Sequence, residues 1–146
     1  MKHKRQEYLN LQKRHQQELE NFPMAYAFSE KQLEEALEKL GAEKSECVTV
    51  FGHGDVVKKK DVPALYAMLK RHTQELHEAL QDKDFAESAF LYEMDNHEYA
   101  INYDGDADVM ACFNLDEKKL NEMGLNDAYR KARKAHFKHA EEWEMI

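Results

Sequence analysis

Apolar residues recur at helical spacing along most of the chain, interrupted by short stretches of strand character. Tyr8, Leu11, His15, Leu19 and Phe22 form one stripe among charged residues and glutamines, which predicts a long amphipathic helix over residues 2–21. It should stop before Pro23, because proline disfavours the helical conformation in the residue before it. The aromatic run 24–28 (MAYAF) reads as a small strand. Ser29 with Gln32 three residues later is a capping-box start, Leu33, Ala36, Leu37 and Leu40 make an apolar face, and Gly41 is a stop. Residues 47–51 are β-rich, 52–55 carry a turn signal, and Val56-Val57 fit the returning strand of a hairpin. Asp61 begins a third helix, with Pro63 tolerated in its first turn and Leu65, Leu69, His72, Leu76, Ala79 and Leu80 on its core side.

The densest apolar block lies in residues 84–103, where the run 88–92 is apolar nearly all round. This predicts a helix from Phe85 to about Tyr99 largely surrounded by others, with Asp84 as N-cap and Glu87 three residues on. Asp84, Glu87, Asp95 and Glu98 should share one wet side. Asp106 or Asp108 should open a short helix through Cys112 and Phe113, and Asp116 should cap another ending near Gly124. A last helix is expected over 126–142, with Tyr129, Ala132, His136, His139 or Ala140, and Trp143 as a docking face. The expected fold is α+β, mostly α. It has five to seven helices and a small two- or three-stranded antiparallel sheet from 24–28, 47–51 and 55–58. No repeat, linker or low-complexity segment divides the 146 residues, so one domain is expected.

Composition narrows the class. Charged residues make up 34% and hydrophobic ones 42%, which suits a soluble helical globule. No apolar run is long enough for a transmembrane helix, and the N-terminus has no apolar region after its positive charges. A cytoplasmic protein without membrane contact or signal peptide is expected. Cys47 and Cys112 lack CxxC spacing and read as reduced core residues. The net charge of −8 argues against direct nucleic-acid binding.

The charge is unevenly placed. Residues 75–108 hold eleven acids and one base, Lys83, while Arg130, Lys131, Arg133, Lys134 and Lys138 cluster near the C-terminus. Carboxylates on successive helical turns repeat at about 5–6 Å, close to the spacing of neighbouring phosphates. The acids Glu75, Glu78, Asp82, Asp84, Glu87, Asp95, Glu98, Asp104, Asp106 and Asp108 are therefore the candidate partner-binding residues, offering a nucleic-acid-like face to a protein with a basic surface, such as a nuclease.

Other motifs carry weaker chemistry, and no catalytic residue or cofactor is assigned. Glu93 and His97, four apart on a helix, are the candidate metal ligands, with Glu98 or the acids of 104–108 as further donors. They fit a metal-dependent enzyme or a metal-binding regulator. Gly52-His53-Gly54 invites a phosphate-loop reading but lacks the Lys-Ser/Thr that such a loop uses. The aspartates of 104–108 suggest a calcium loop, but the sixth position is Val109 and the twelfth Leu115, where Gly and Glu are needed. His136 and His139 could bind a metal but show no carboxylate partner in sequence.

Three segments carry a resemblance: FSEKQ at 28–32 with Leu40-Gly41, the glycine-containing turn and basic run of 52–61, and Asn96-His97-Glu98-Tyr99. Over roughly 22–125 the chain resembles small acidic proteins encoded by phages and mobile elements of Gram-positive gut bacteria, a family without an assigned activity. Its turn is usually glycine-only, so His53 departs from it. The resemblance implies an accessory factor that binds host machinery. With the charge map, it leads to the expectation of a non-enzymatic, anti-CRISPR-like or nucleic-acid-mimicking inhibitor of a host defence protein. A structural or regulatory adaptor, dimeric through the Tyr129–Trp143 face, is the alternative.

Overall fold

The computed structural model describes residues 3–144 and 146. It is 69% helical, with seven α-helices and a small three-stranded antiparallel sheet among the described residues. In order these are α1 (Arg5–Glu20), β1 (Met24–Tyr26), α2 (Glu30–Leu40), β2 (Cys47–Val48), β3 (Asp55–Lys58), α3 (Val62–Ala79), α4 (Lys83–Asn96), α5 (Gly105–Ala111), α6 (Glu117–Glu122) and α7 (Asn126–Glu142). The mostly helical α+β expectation is met. The expected start of the first helix at residue 2 lies outside the described residues. No described helix is long and apolar enough to cross a membrane.

The chain divides into two units, Met1–Arg14 with His72–Ile146, and His15–Arg71, so α1 and α3 each supply residues to both. In the 15–71 unit the strand order is β1-β3-β2. Met24 pairs with Val57 and Tyr26 with Asp55 on one side of β3, and Cys47 pairs with Lys58 on the other. Successive residues of a strand face opposite ways. Val56 accordingly packs with Ala25, Ala36 and Leu40, while Val57 packs with Met24 and Leu65. A central strand buried on both faces needs two adjacent apolar residues, and Val56-Val57 supply them.

The helix start at Ser29 is as expected: its hydroxyl accepts the Gln32 N–H, and the Gln32 amide oxygen reaches back to the Phe28 N–H. Gly41 closes α2 at φ 63°, in the left-handed region that glycine tolerates. Two expected strands are shorter than read: 24–28 stops at Tyr26 and 47–51 stops at Val48. The second shortening has a clear cause. The Val50 and Phe51 N–H groups turn away from the ladder and donate to the Asp55 carboxylate at 2.7 and 3.1 Å.

The other unit is built on α4 and α7, its most extensively paired helices. Small residues allow the approach: Ala86 and Ala89 on α4 and Ala132 and Ala140 on α7 are all buried. Around them Phe90 meets Phe113 and Tyr129 edge-on at 4.9 and 5.3 Å, and Tyr8 of α1 lies 5.4 Å from Phe113. Full burial of one such ring contributes about 1.5–3 kcal/mol. The central helix is indeed buried nearly all round, but both its ends differ from expectation. The N-cap is Asp82, whose carboxylate accepts the Asp84 and Phe85 N–H groups, so Asp84 lies inside the first turn. The helix stops at Asn96 rather than Tyr99, because Glu98 takes a left-handed φ of 50° before a short 3-10 turn, Tyr99–Ile101. On α7, Tyr129, Ala132, His136 and Ala140 face the core, whereas Trp143 is exposed and does not close that face. Much of the Tyr129–Trp143 face is therefore packed within the chain, which leaves His139 and Trp143 as its accessible part.

Candidate metal centre

Glu93 sits on the buried side of α4, 4% exposed. Its Oε2 accepts the Tyr8 hydroxyl at 2.6 Å and the Gln12 amide at 3.3 Å, and Oε1 accepts from Asn96 at 3.4 Å. Tyr8 and Gln12 lie one turn apart on α1, and the Gln12 amide also donates to the Tyr8 oxygen at 2.7 Å. Every one of these donors is neutral. Among the described residues no lysine or arginine pairs with Glu93, and its one basic neighbour is His97, with Nε2 4.0 Å from Oε1. A buried carboxylate without a countercharge is costly.

His97 caps α4, which swings its ring toward the first residue after α5, Cys112. The Cys112 sulfur lies 3.4 Å from His97 Nε2 and 3.3 Å from the Asp108 carbonyl oxygen. Burial, followed by the Glu93 charge, pushes the thiol up to about 11. Burial and the same carboxylate push the Tyr8 hydroxyl up as well, so it stays a donor. One ligand atom each from Glu93, His97 and Cys112 all fall within 4.8 Å of one another, the one such trio among the described residues.

For a tetrahedral zinc ion the sulfur–nitrogen edge would be about 3.6 Å and the nitrogen–oxygen edge about 3.3 Å. The sulfur–nitrogen separation of 3.4 Å matches its edge, whereas the nitrogen–oxygen separation of 4.0 Å is about 0.7 Å too long and would close by a small side-chain rotation on binding. A thiol–imidazole–carboxylate relay is a poorer fit. A relay needs the acid on the imidazole nitrogen away from the thiol, whereas here both approach Nε2, and the thiol is held neutral rather than activated.

Of the expected metal ligands, the structure joins Glu93 and His97 and leaves Glu98 on an exposed turn. Cys112, read from sequence as a reduced core residue, is free, only half-buried, and the third member of the group. Its signal in sequence was faint, a lone cysteine fifteen residues from His97. Tyr8 and Gln12 looked like ordinary members of an amphipathic helix.

The candidate partner-binding acids are dispersed among internal tasks. Asp95 is turned to α7, where its two oxygens lie 2.7 and 3.0 Å from His136 Nδ1 and His139 Nδ1. The Ala100 N–H donates to His136 Nε2, which fixes the Nδ1–H tautomer. These histidines thus have the carboxylate neighbour that the sequence did not reveal. One oxygen of Asp106 accepts from both Tyr99 and Tyr129, and Asp108 accepts from Asn102. Asp82 caps α4 and pairs with Lys4, which holds its carboxyl below the ordinary value. Glu75 lies 4.0 Å from Arg14, and Glu87 lines a groove with cations of α7. Asp84 is half-buried; Glu78, Glu98 and Asp104 are exposed. The single wet side expected for Asp84, Glu87, Asp95 and Glu98 does not form, because Asp95 is engaged by histidines and Glu98 lies beyond the helix end.

The phosphate-loop reading of 52–55 also fails. The Val50, Phe51 and His53 N–H groups, which such a loop would offer to phosphate, are occupied by Asp55. A calcium loop at 104–108 is replaced by helix α5.

No curated protein and no solved structure matches the chain. A family model, described as a family of unknown function (DUF7659), matches residues 7–135, spanning the elements that carry Tyr8, Glu93, His97 and Cys112, and the chain belongs to that family.

Proposed function

We propose that the chain is a metal-binding regulator in which Glu93, His97 and Cys112 hold a zinc-like divalent cation. The observation that carries this reading is the buried Glu93 carboxylate, which has only neutral donors on one side and an imidazole and a thiol on the other. A divalent cation would supply the missing countercharge, and a sulfur–nitrogen–oxygen donor set favours zinc over magnesium or calcium. Three protein ligands leave a fourth position for water or a partner's group. The ion would tie α4 to the end of α5 and thereby fix the 97–104 segment between them. The acidic-mimic reading has less support, because Asp82, Asp95, Asp106 and Asp108 are each engaged by hydrogen bonds within the chain.

Elemental analysis of protein purified without a histidine tag tests the proposal. One zinc per chain, retained by Cys47→Ser and lost in Cys112→Ser and Glu93→Gln, is the expected result. Equal metal content in Cys112→Ser and the parent would refute it.

A further inference from the structure

A second feature stands apart from the metal group. An open groove of about 730 Å³ runs beside α7, lined by Arg130, Lys131, Arg133, Lys134 and Lys138, with Ala135 and Phe137 giving it apolar surface. Arg130 is paired with Asp127 at 3.2 Å, and Arg133 interacts with the Tyr99 hydroxyl. Lys131, Lys134 and Lys138 are exposed and have no ion-pair partner among the described residues. They sit three and four residues apart, so their Cβ atoms follow one ridge of the helix at about 5–6 Å intervals, and their side chains can reach successive phosphates. Phe137, 39% exposed, lies within the same row. Two carboxylates, Glu87 and Glu141, also line the groove, against five cations.

We infer that this groove binds a single-stranded nucleic acid, with the three lysines on successive phosphates and Phe137 stacked on a base. Unpartnered cations at phosphate spacing interleaved with an exposed aromatic ring are the two components of sequence-independent strand binding. An acidic peptide would match the charge but would make no use of a flat ring in the row. The surrounding protein is acidic, so contact is confined to this ridge and depends strongly on salt.

The test is fluorescence anisotropy with labelled oligo-dT and oligo-U, using the full chain across a salt series. Three phosphate contacts predict a log–log salt slope of about −2. Replacing Lys131, Lys134 and Lys138 together by Gln should abolish binding while leaving the thermal melt unchanged, since all three side chains are exposed. Phe137→Ala should weaken oligonucleotide binding at least about fivefold and leave the binding of polyglutamate at its parent level. No binding at low salt, equal binding by the triple variant, or polyglutamate bound as tightly as the oligonucleotides would each overturn the inference. Zinc content plays no part in the readout, so this outcome is independent of the metal site.

Discussion

At the scale of single residues, Glu93 governs the account. Its position four before His97 was legible in sequence, but its burial and the neutral donors from α1 were not. Those depend on where Tyr8 and Gln12 lie after folding, and no local pattern encodes a contact across more than eighty residues. Tyr8 orients the carboxylate that would reach the ion. Tyr8→Phe should therefore lower zinc affinity about 10–100-fold, as loss of an outer partner typically does, and calorimetric titration checks this. The thiol gives a pH signature. A cation must displace the Cys112 proton, which burial holds up to about 11. Apparent affinity should thus rise about tenfold per pH unit through the neutral and mildly alkaline range, one proton leaving per ion bound. A Cys112→Ser chain should lose that slope.

At the scale of elements, caps and periodicity were the legible part. Ser29, Gly41, Asp116 and the bounds of α7 follow from local chemistry, and the structure places them as the residues indicate. The hairpin before α3 was less legible, because its shape depends on one carboxylate. Burial alone would raise the Asp55 carboxyl, but N–H groups of Val50, Phe51 and His53 outweigh burial and hold it below its ordinary value. The folded state thus binds this proton more weakly than the unfolded chain does. The stabilisation is fully present above the ordinary carboxylate range and is lost as pH falls through the depressed folded value. Asp55→Asn should cost about 1–3 kcal/mol at neutral pH and flatten the acid side of the stability profile, as read by chemical denaturation. Gly54 has φ 81°, and a Cβ there would lie 2.7 Å from Phe28 Cε1 and 2.9 Å from the Ala27 oxygen. Gly54→Ala should lower the melting temperature for both reasons. The sequence marked this glycine as a turn residue, but only the fold shows the neighbouring Ala27-Phe28 segment that crowds a side chain.

At the scale of the whole molecule, the segregation of charge has an account within the fold. The acid-rich helix α4 packs on the base-rich helix α7, Asp95 meets two histidines, and Glu87 lines the groove of Arg130 and its neighbours. Charge read along the chain is signed but not placed, so a segment of eleven acids looked like one face when its members point to several destinations. The close approach of the two helices rests on alanines with no exposed surface. Ala132→Leu should overpack that contact and destabilise the chain by about 1–3 kcal/mol, with the unfolding midpoint as readout. The mostly helical fold and the small sheet were legible because they rest on repeated local signals. The third metal ligand was not, because a lone cysteine acquires meaning only from what folding brings beside it.

The central claim is that Cys112 joins Glu93 and His97 around one cation. The most direct measurement is a cobalt(II) titration of the metal-free protein followed by absorption. The account predicts a thiolate-to-cobalt charge-transfer band with tetrahedral d–d transitions, saturating at one equivalent and competed away by zinc. The band should be absent from Cys112→Ser and present in Cys47→Ser. Saturation with no thiolate band, or the same band in both variants, would contradict it.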